Sequence, residues 1–136
     1  MAQRWLFKTE PSAYSFARLE ADRRTVWDGV KNALALKHLG AVAKGDEVLV
    51  YHTGDEKAVV GVAEVVRAAY PDPKYPDGKL VVVDIEARAK LARPVTLAEI
   101  KALAEFQASP LVRQGRLSVV PLTAAQWKAI ETRGRG

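Results

Sequence analysis

Gly45-Asp46-Glu47-Val48-Leu49-Val50-Tyr51 decides the fold class, together with the valine- and alanine-rich run 59–69 that follows the polar stretch 52–57. A Gly-Asp turn ahead of an apolar, β-branched run reads as a strand. The second run reads as a long strand reached without an intervening helix, and Gly61 within it signals a bulge or a close backbone approach. Tyr70-Pro71-Asp72-Pro73 breaks the pattern and Pro76-Asp77-Gly78 turns the chain. Residues 79–87 then give a third strand, whose unbroken Leu80-Val81-Val82-Val83 implies burial on both faces near its start. Strand following strand argues against a doubly wound parallel sheet.

Working outward, Arg4–Lys8 reads as an opening strand, with Trp5 and Phe7 on one face and Leu6 on the other. Ser12 is placed to cap a short helix through Leu19, with Tyr14 and Phe16 near its start. Residues 25–29 read as turn-like, and Asn32–Val42 has helical spacing in Leu34, Leu36, Leu39 and Val42. Thr96-Leu97-Ala98-Glu99 and Thr123-Ala124-Ala125-Gln126 both carry capping-box spacing, the first ahead of a helix through Ala104 and the second ahead of a C-terminal helix. Ser109-Pro110 starts a further helical turn and Leu117–Pro121 a last strand. Arg133-Gly134-Arg135-Gly136 reads as a basic tail, frayed from residue 132. With no repeat and no linker, residues 1–136 are taken as a single unit. The expected class is α+β: a small, mostly antiparallel β-barrel decorated by short helices, with room for one small ligand at its mouth or flank.

Composition narrows the chemistry. Apolar residues make up 49% and charged residues 27%, enough for a packed core. The absence of cysteine excludes disulfides, thiol nucleophiles and Cys-ligated zinc, and with only two histidines, His38 and His52, no metal or cofactor is expected. No apolar run approaches the ~20 residues of a membrane helix, and the N-terminal run lacks a signal pattern, so the expected location is cytoplasmic, away from membranes. A net charge of +5 suits a lightly gripped nucleic acid.

Three polar clusters stand at element ends, where a scaffold presents groups rigidly: Lys8-Thr9-Glu10-Pro11, Trp27 to Asn32, and Tyr51-His52-Thr53. Within the second, an indole offers a flat face, Gly29 a close backbone approach, and an amide one donor and one acceptor. A flat, heteroatom-edged ligand such as a nucleobase needs that mixture. Each residue also has a plainer reading: Trp27 as a core anchor, Asn32 as a helix cap, Lys8 and Glu10 as an exposed pair, and His52 as a loop histidine.

The segment Trp5-Leu6-Phe7-Lys8-Thr9-Glu10-Pro11-Ser12-Ala13-Tyr14-Ser15 resembles the opening of the EVE domain family. Trp27-Asp28-Gly29-Val30-Lys31-Asn32 resembles that family's WDGVRN motif, with lysine for arginine. Gly45-Asp46 and Val48-Leu49-Val50-Tyr51-His52-Thr53 are similar to its GDxVLFYHS strand. Gly61-Val62-Ala63, Ala69-Tyr70-Pro71-Asp72-Pro73 and Arg116-Leu117-Ser118-Val119-Val120-Pro121 match later landmarks. The resemblance spans about residues 4–131, with its motifs in order.

It implies a PUA-like fold related to YTH and PUA domains. It also implies a reader of modified bases, with a modified cytosine in DNA ahead of RNA as the partner. Carried onto matching positions, Trp27 and Tyr51 supply aromatic surface, Asn32 bonds a base edge, and Tyr14 and Ser15 line the pocket. Lys8 and Glu10 close its polar rim, and His52 sits at its mouth. Lys31 and Arg116 are the choices for phosphate contact. The chain departs from the family after Asn32, where Leu34, Leu36 and Lys37 replace a glutamine, an arginine and an asparagine, and in a short loop after Pro73 that implies an open site. Two other readings compete: a protein-interaction module with a degraded pocket, favoured by Leu34 and Leu36, and an enzyme using Glu10 or Asp28 with His52 or Lys8. The second lacks any nucleophile elbow, P-loop or zinc deaminase signature.

Overall fold

The computed structural model describes residues 2–75 and 77–135. In chain order the elements are β1 (Arg4–Thr9), α1 (Phe16–Asp22), β2 (Arg24–Trp27), α2 (Ala33–Ala41), β3 (Glu47–His52), β4 (Ala58–Pro71), β5 (Val81–Thr96) and α3 (Leu97–Lys101). A 3₁₀ turn (Ala104–Phe106), α4 (Pro110–Arg113), β6 (Val119–Leu122) and α5 (Ala124–Gly134) complete them. The strands form one sheet in the order β2-β5-β4-β3-β1-β6. Among the described residues only the β1–β3 pairing is parallel; the other four are antiparallel. Central strands carry the core, with Leu6, Phe7, Val48, Leu49 and Val50 almost wholly shielded. Helix α2 packs on β4, β5 and β6, and α5 on β5.

The expected barrel is not what forms: among the described residues β2 pairs only with β5, β6 only with β1, and the sheet stays open. It nevertheless curls. Phe7 on β1 and Trp27 on β2 are four strand spacings apart, ~19 Å in a flat sheet, yet their ring centroids lie 5.5 Å apart. Four register shifts between β4 and β5 supply the bend. Two edge strands of four residues each offer little ladder to close, so rings rather than hydrogen bonds bridge the seam.

Gly61 shows why one backbone stretch of β4 must be bare. A Cβ there would stand 2.3 Å from Phe16 Cζ, so the phenyl ring lies directly on the strand. The register also shifts between Val59 and Gly61, so the bulge and the close approach coincide.

The structure departs from the sequence reading elsewhere. The segment 25–29, expected to be turn-like, begins with the last three residues of β2. Strand β5 continues nine residues beyond Ala87, to Thr96. The frayed tail is instead the end of α5, since Gly134 is buried against Leu91. Pro76 and Gly136 lie outside the described residues.

Asp46 stands in a Gly-Asp turn, yet its carboxylate is buried and ties three segments together. It accepts from Gln3 N–H (3.0 Å), Trp5 Nε1–H (2.9 Å) and Ala43 N–H (2.9 Å). Both capping boxes form, Thr96 with Glu99 and Thr123 with Gln126. Glu99 also takes the Arg93 guanidinium as a fork, at 3.0 and 2.7 Å. That bond, and then the Thr96 N–H, hold its carboxyl down at about 2 from an ordinary 4.5. A carboxyl whose pKa falls on folding stabilises the fold above its unfolded value and loses that contribution as pH drops through its folded value. The melting-temperature gap between the native chain and Glu99→Gln is therefore expected to be full at neutral pH, to shrink below about 4.5 and to vanish only below about 2. The gap is modest because the pair is solvent-screened. A gap independent of pH would refute the ionic contribution.

Candidate functional site

The open seam holds a cavity of about 590 Å³, within the range of small-molecule sites. Lys8 and Thr9 enter it from the end of β1, Ala13 and Tyr14 from the turn before α1, and Ser118 from the approach to β6. Residues 25–30 run along the opposite side from β2. The Trp27 indole is 7% exposed. It is tilted 39° against Phe7 and meets Tyr14 edge-on at 6.4 Å. Tyr14 is fixed twice, its carbonyl accepting from Thr9 Oγ1 (2.8 Å) and its hydroxyl donating to Asp22 Oδ2 (2.9 Å). Burial raises its phenol pKa. Gly29 sits at φ +77°, the left-handed region that favours glycine, and turns the wall.

The ladder parity of β2 adds polar reading groups. Ala87 N–H donates to Arg23 C=O, and the β2–β5 register continues Arg24↔Glu86, Thr25↔Ile85, Val26↔Asp84. In an antiparallel pair, bonded and non-bonded positions alternate. The Arg23 carbonyl, Thr25 and Trp27 therefore face β5, while Val26 turns its N–H and C=O to the free edge that lines the cavity. Val26 is 46% exposed. A matched donor and acceptor beside an indole and a phenol suit the edge of a planar heterocycle.

The family model for the EVE domain matches residues 3–133. The chain belongs to the EVE family. Among solved structures, this EVE domain is similar to Rpa0253 from Rhodopseudomonas palustris, at 41% identity and TM-score 0.92 over 98% of this chain and 93% of that one. It is 28% identical to human THYN1 protein in complex with 5-methylcytosine containing DNA, with TM-score 0.86 over 99% of both chains. Human thymocyte nuclear protein 1 aligns at 28% identity over 93% of this chain and 72% of its own length.

Of the residues singled out in the sequence, Lys8, Tyr14 and Trp27 of this EVE domain come together at the seam cavity. The others lie elsewhere. Asn32 is spent on its helix: its Oδ1 accepts from Ala35 N–H at 3.0 Å as the cap of α2. Ser15 caps α1 through Arg18 N–H. Tyr51 lies one strand over from the seam, buried, with Lys8 Nζ 5.6 Å from its ring centre, and lines a second, smaller cavity. Glu10 accepts from Ser12 Oγ (3.2 Å) and Thr53 Oγ1 (3.3 Å) outside both linings.

His52 is neither at the mouth nor on a loop. It is a buried end residue of β3 whose Nε2 accepts the Phe16 N–H (3.0 Å), which assigns the ring proton to Nδ1, donating to Glu56 Oε1 (2.7 Å). It thereby pins the start of α1 and, through it, Tyr14. Lys31 and Arg116 are exposed and outside the lining.

Leu34, Leu36 and Lys37 do not line the cavity either, so the departures after Asn32 leave its wall intact. The short loop after Pro73 does reach the rim, where Lys74 Nζ pairs with Asp28 Oδ2 at 3.1 Å. Ala13, Thr25, Val26 and Ser118 line the cavity without being candidates in the sequence, and for Thr25 and Val26 the available signal was the β-branched pair directly before Trp27.

Proposed function

We propose that this EVE domain reads nucleic acid by seating one modified base, a modified cytosine in DNA, in the seam cavity. The observation that carries the reading is the cavity itself: an indole, a phenol and the unpaired Val26 edge in one 590 Å³ space. Its support from outside is the 28% identical human THYN1 protein in complex with 5-methylcytosine containing DNA. A base leaving the stack costs a few kcal/mol. Contact with aromatic walls returns about 1–3 kcal/mol. The Val26 N–H and C=O then test the base edge, and the space beside Tyr14 and Thr25 receives the ring substituent. Nothing in this sequence of events breaks a covalent bond.

The test is a binding panel of matched oligonucleotides carrying cytosine, 5-methylcytosine or a modified adenine, each at two salt concentrations. The expected result is tighter binding of the modified cytosine, with all affinities falling as salt rises. Equal affinity for modified and plain cytosine would overturn base reading.

Val26→Pro sharpens the test. Proline at an outward-facing edge position removes no ladder bond, and Thr25 before it is already extended. Melting temperature should hardly change, while affinity for the modified oligonucleotide should drop about tenfold or more, the loss of one desolvated donor. A variant that folds and binds like the native chain would remove Val26 from the reading.

A further inference from the structure

We propose that the second cavity is an anion subsite that holds a backbone phosphate of the strand whose base occupies the seam. Its volume is about 200 Å³, and three lysines line it: Lys8, Lys57 and Lys101. Among the described residues none of the three forms an ion pair. Of the nearby carboxylates, Glu56 is bonded to His52 Nδ1, while Glu10 borders the cavity, accepting from Thr53 Oγ1 and lying beside Gly54, so three lysines face one carboxylate there. Leu97, Leu111 and Val112 line one side of the cavity, a low-dielectric wall beside which charge–charge attraction exceeds that in bulk water. Two hundred cubic ångströms is the liquid volume of about seven waters at ~30 Å³ each, ample for a tetrahedral oxyanion.

Lys8 joins this cavity to the base cavity, since it lines both. Its ammonium donates to Gly115 C=O at 2.8 Å and stands over the Tyr51 ring. Burial alone lowers its pKa, so a bound anion supplies the compensating charge that the protein does not. Lys57 reaches the cavity from a left-handed backbone, φ +45°, uncommon outside glycine. Its carbonyl is held by Leu97 N–H at 2.8 Å. The inference rests on the seam as the base site for its neighbour, not for the anion chemistry.

The experiment compares the native chain with Lys101→Gln and with Lys57→Gln/Lys101→Gln. Titration with inorganic phosphate, followed by amide NMR, should shift Thr53, Gly54 and Gly115 in the native chain and leave them still in the double variant. With duplex DNA, the double variant should lower the slope of log affinity against log salt by about 1.8, two contacts at ~0.9 each. The ratio of methylated to unmodified binding should stay unchanged. Replacing single phosphates by neutral methylphosphonates should weaken native binding at one position beside the modified base and have no effect there in the double variant. An unchanged salt slope, or phosphate shifts that survive in the double variant, would overturn the subsite. Loss of base discrimination in the native chain would instead overturn the seam reading, so the two failures are distinguishable. Lys101→Gln, an exposed position on α3, guards against misfolding and should give half the slope change.

Discussion

Trp27→Ala is expected to destabilise the fold by about 3–5 kcal/mol and to abolish discrimination between modified and plain bases. The indole is buried between the two sides of the curled sheet, packed on Phe7 and met edge-on by Tyr14. Because β2 and β6 share no ladder, these rings do the joining that hydrogen bonds do in a closed barrel. The void left by alanine merges with the existing cavity, so water enters it, and the loss should fall towards the lower end of that range. Urea denaturation at 25 °C measures it. Trp27→Phe separates structure from recognition, since a phenyl ring keeps the Phe7 contact and should cost no more than about 1.5 kcal/mol. Discrimination fully retained by a stable Trp27→Phe would reduce the indole to a packing residue.

The seam explains which parts of this molecule could be read in advance. Local signals read well: the two capping boxes need only a three-residue spacing, and Asn32 at the head of an apolar periodic run was legible as a cap. What failed was information held by distant partners. Strand β2 is four residues long and exists because Thr25 and Val26 pair with residues of β5 about sixty positions later. Asp46 looked like half of a Gly-Asp turn, and nothing near it announces that Gln3 and Trp5 donate to it.

The motif resemblance singled out Lys8, Tyr14 and Trp27, which line the cavity, but it did not resolve roles within a motif. Asn32 lies five residues from Trp27, yet its amide oxygen faces a helix N-terminus rather than the cavity. His52 follows Tyr51 at a strand end, but its two ring nitrogens are both consumed inside the protein. Alternation along a strand sends neighbours to opposite faces, so a cluster in sequence is not a cluster in space. Openness of the sheet was equally invisible, because alternating apolar strands are written the same way whether or not the last pair meets.

Gly61→Ala is expected to cost about 2–4 kcal/mol and to weaken binding at a distance from the cavity. The added methyl would stand 2.3 Å from Phe16 Cζ and 2.5 Å from both Cε atoms, closer than any real contact. Strand β4 cannot retreat, because it is paired with β3 on one side and β5 on the other. Helix α1 must therefore move outward. Its first N–H then leaves His52 Nε2, adding about 1 kcal/mol for a lost hydrogen bond to the ~1–3 kcal/mol of overpacking. Tyr14, two residues before Phe16, moves with the helix, and the cavity loses one of its walls. Phe16→Leu in the Gly61→Ala background removes the colliding ring atoms. The double-mutant cycle should show favourable coupling of at least about 1 kcal/mol, with recovery of DNA affinity alongside stability. Additive losses, with no recovery by leucine, would mean that the phenyl ring does not transmit strain from β4 to the cavity wall.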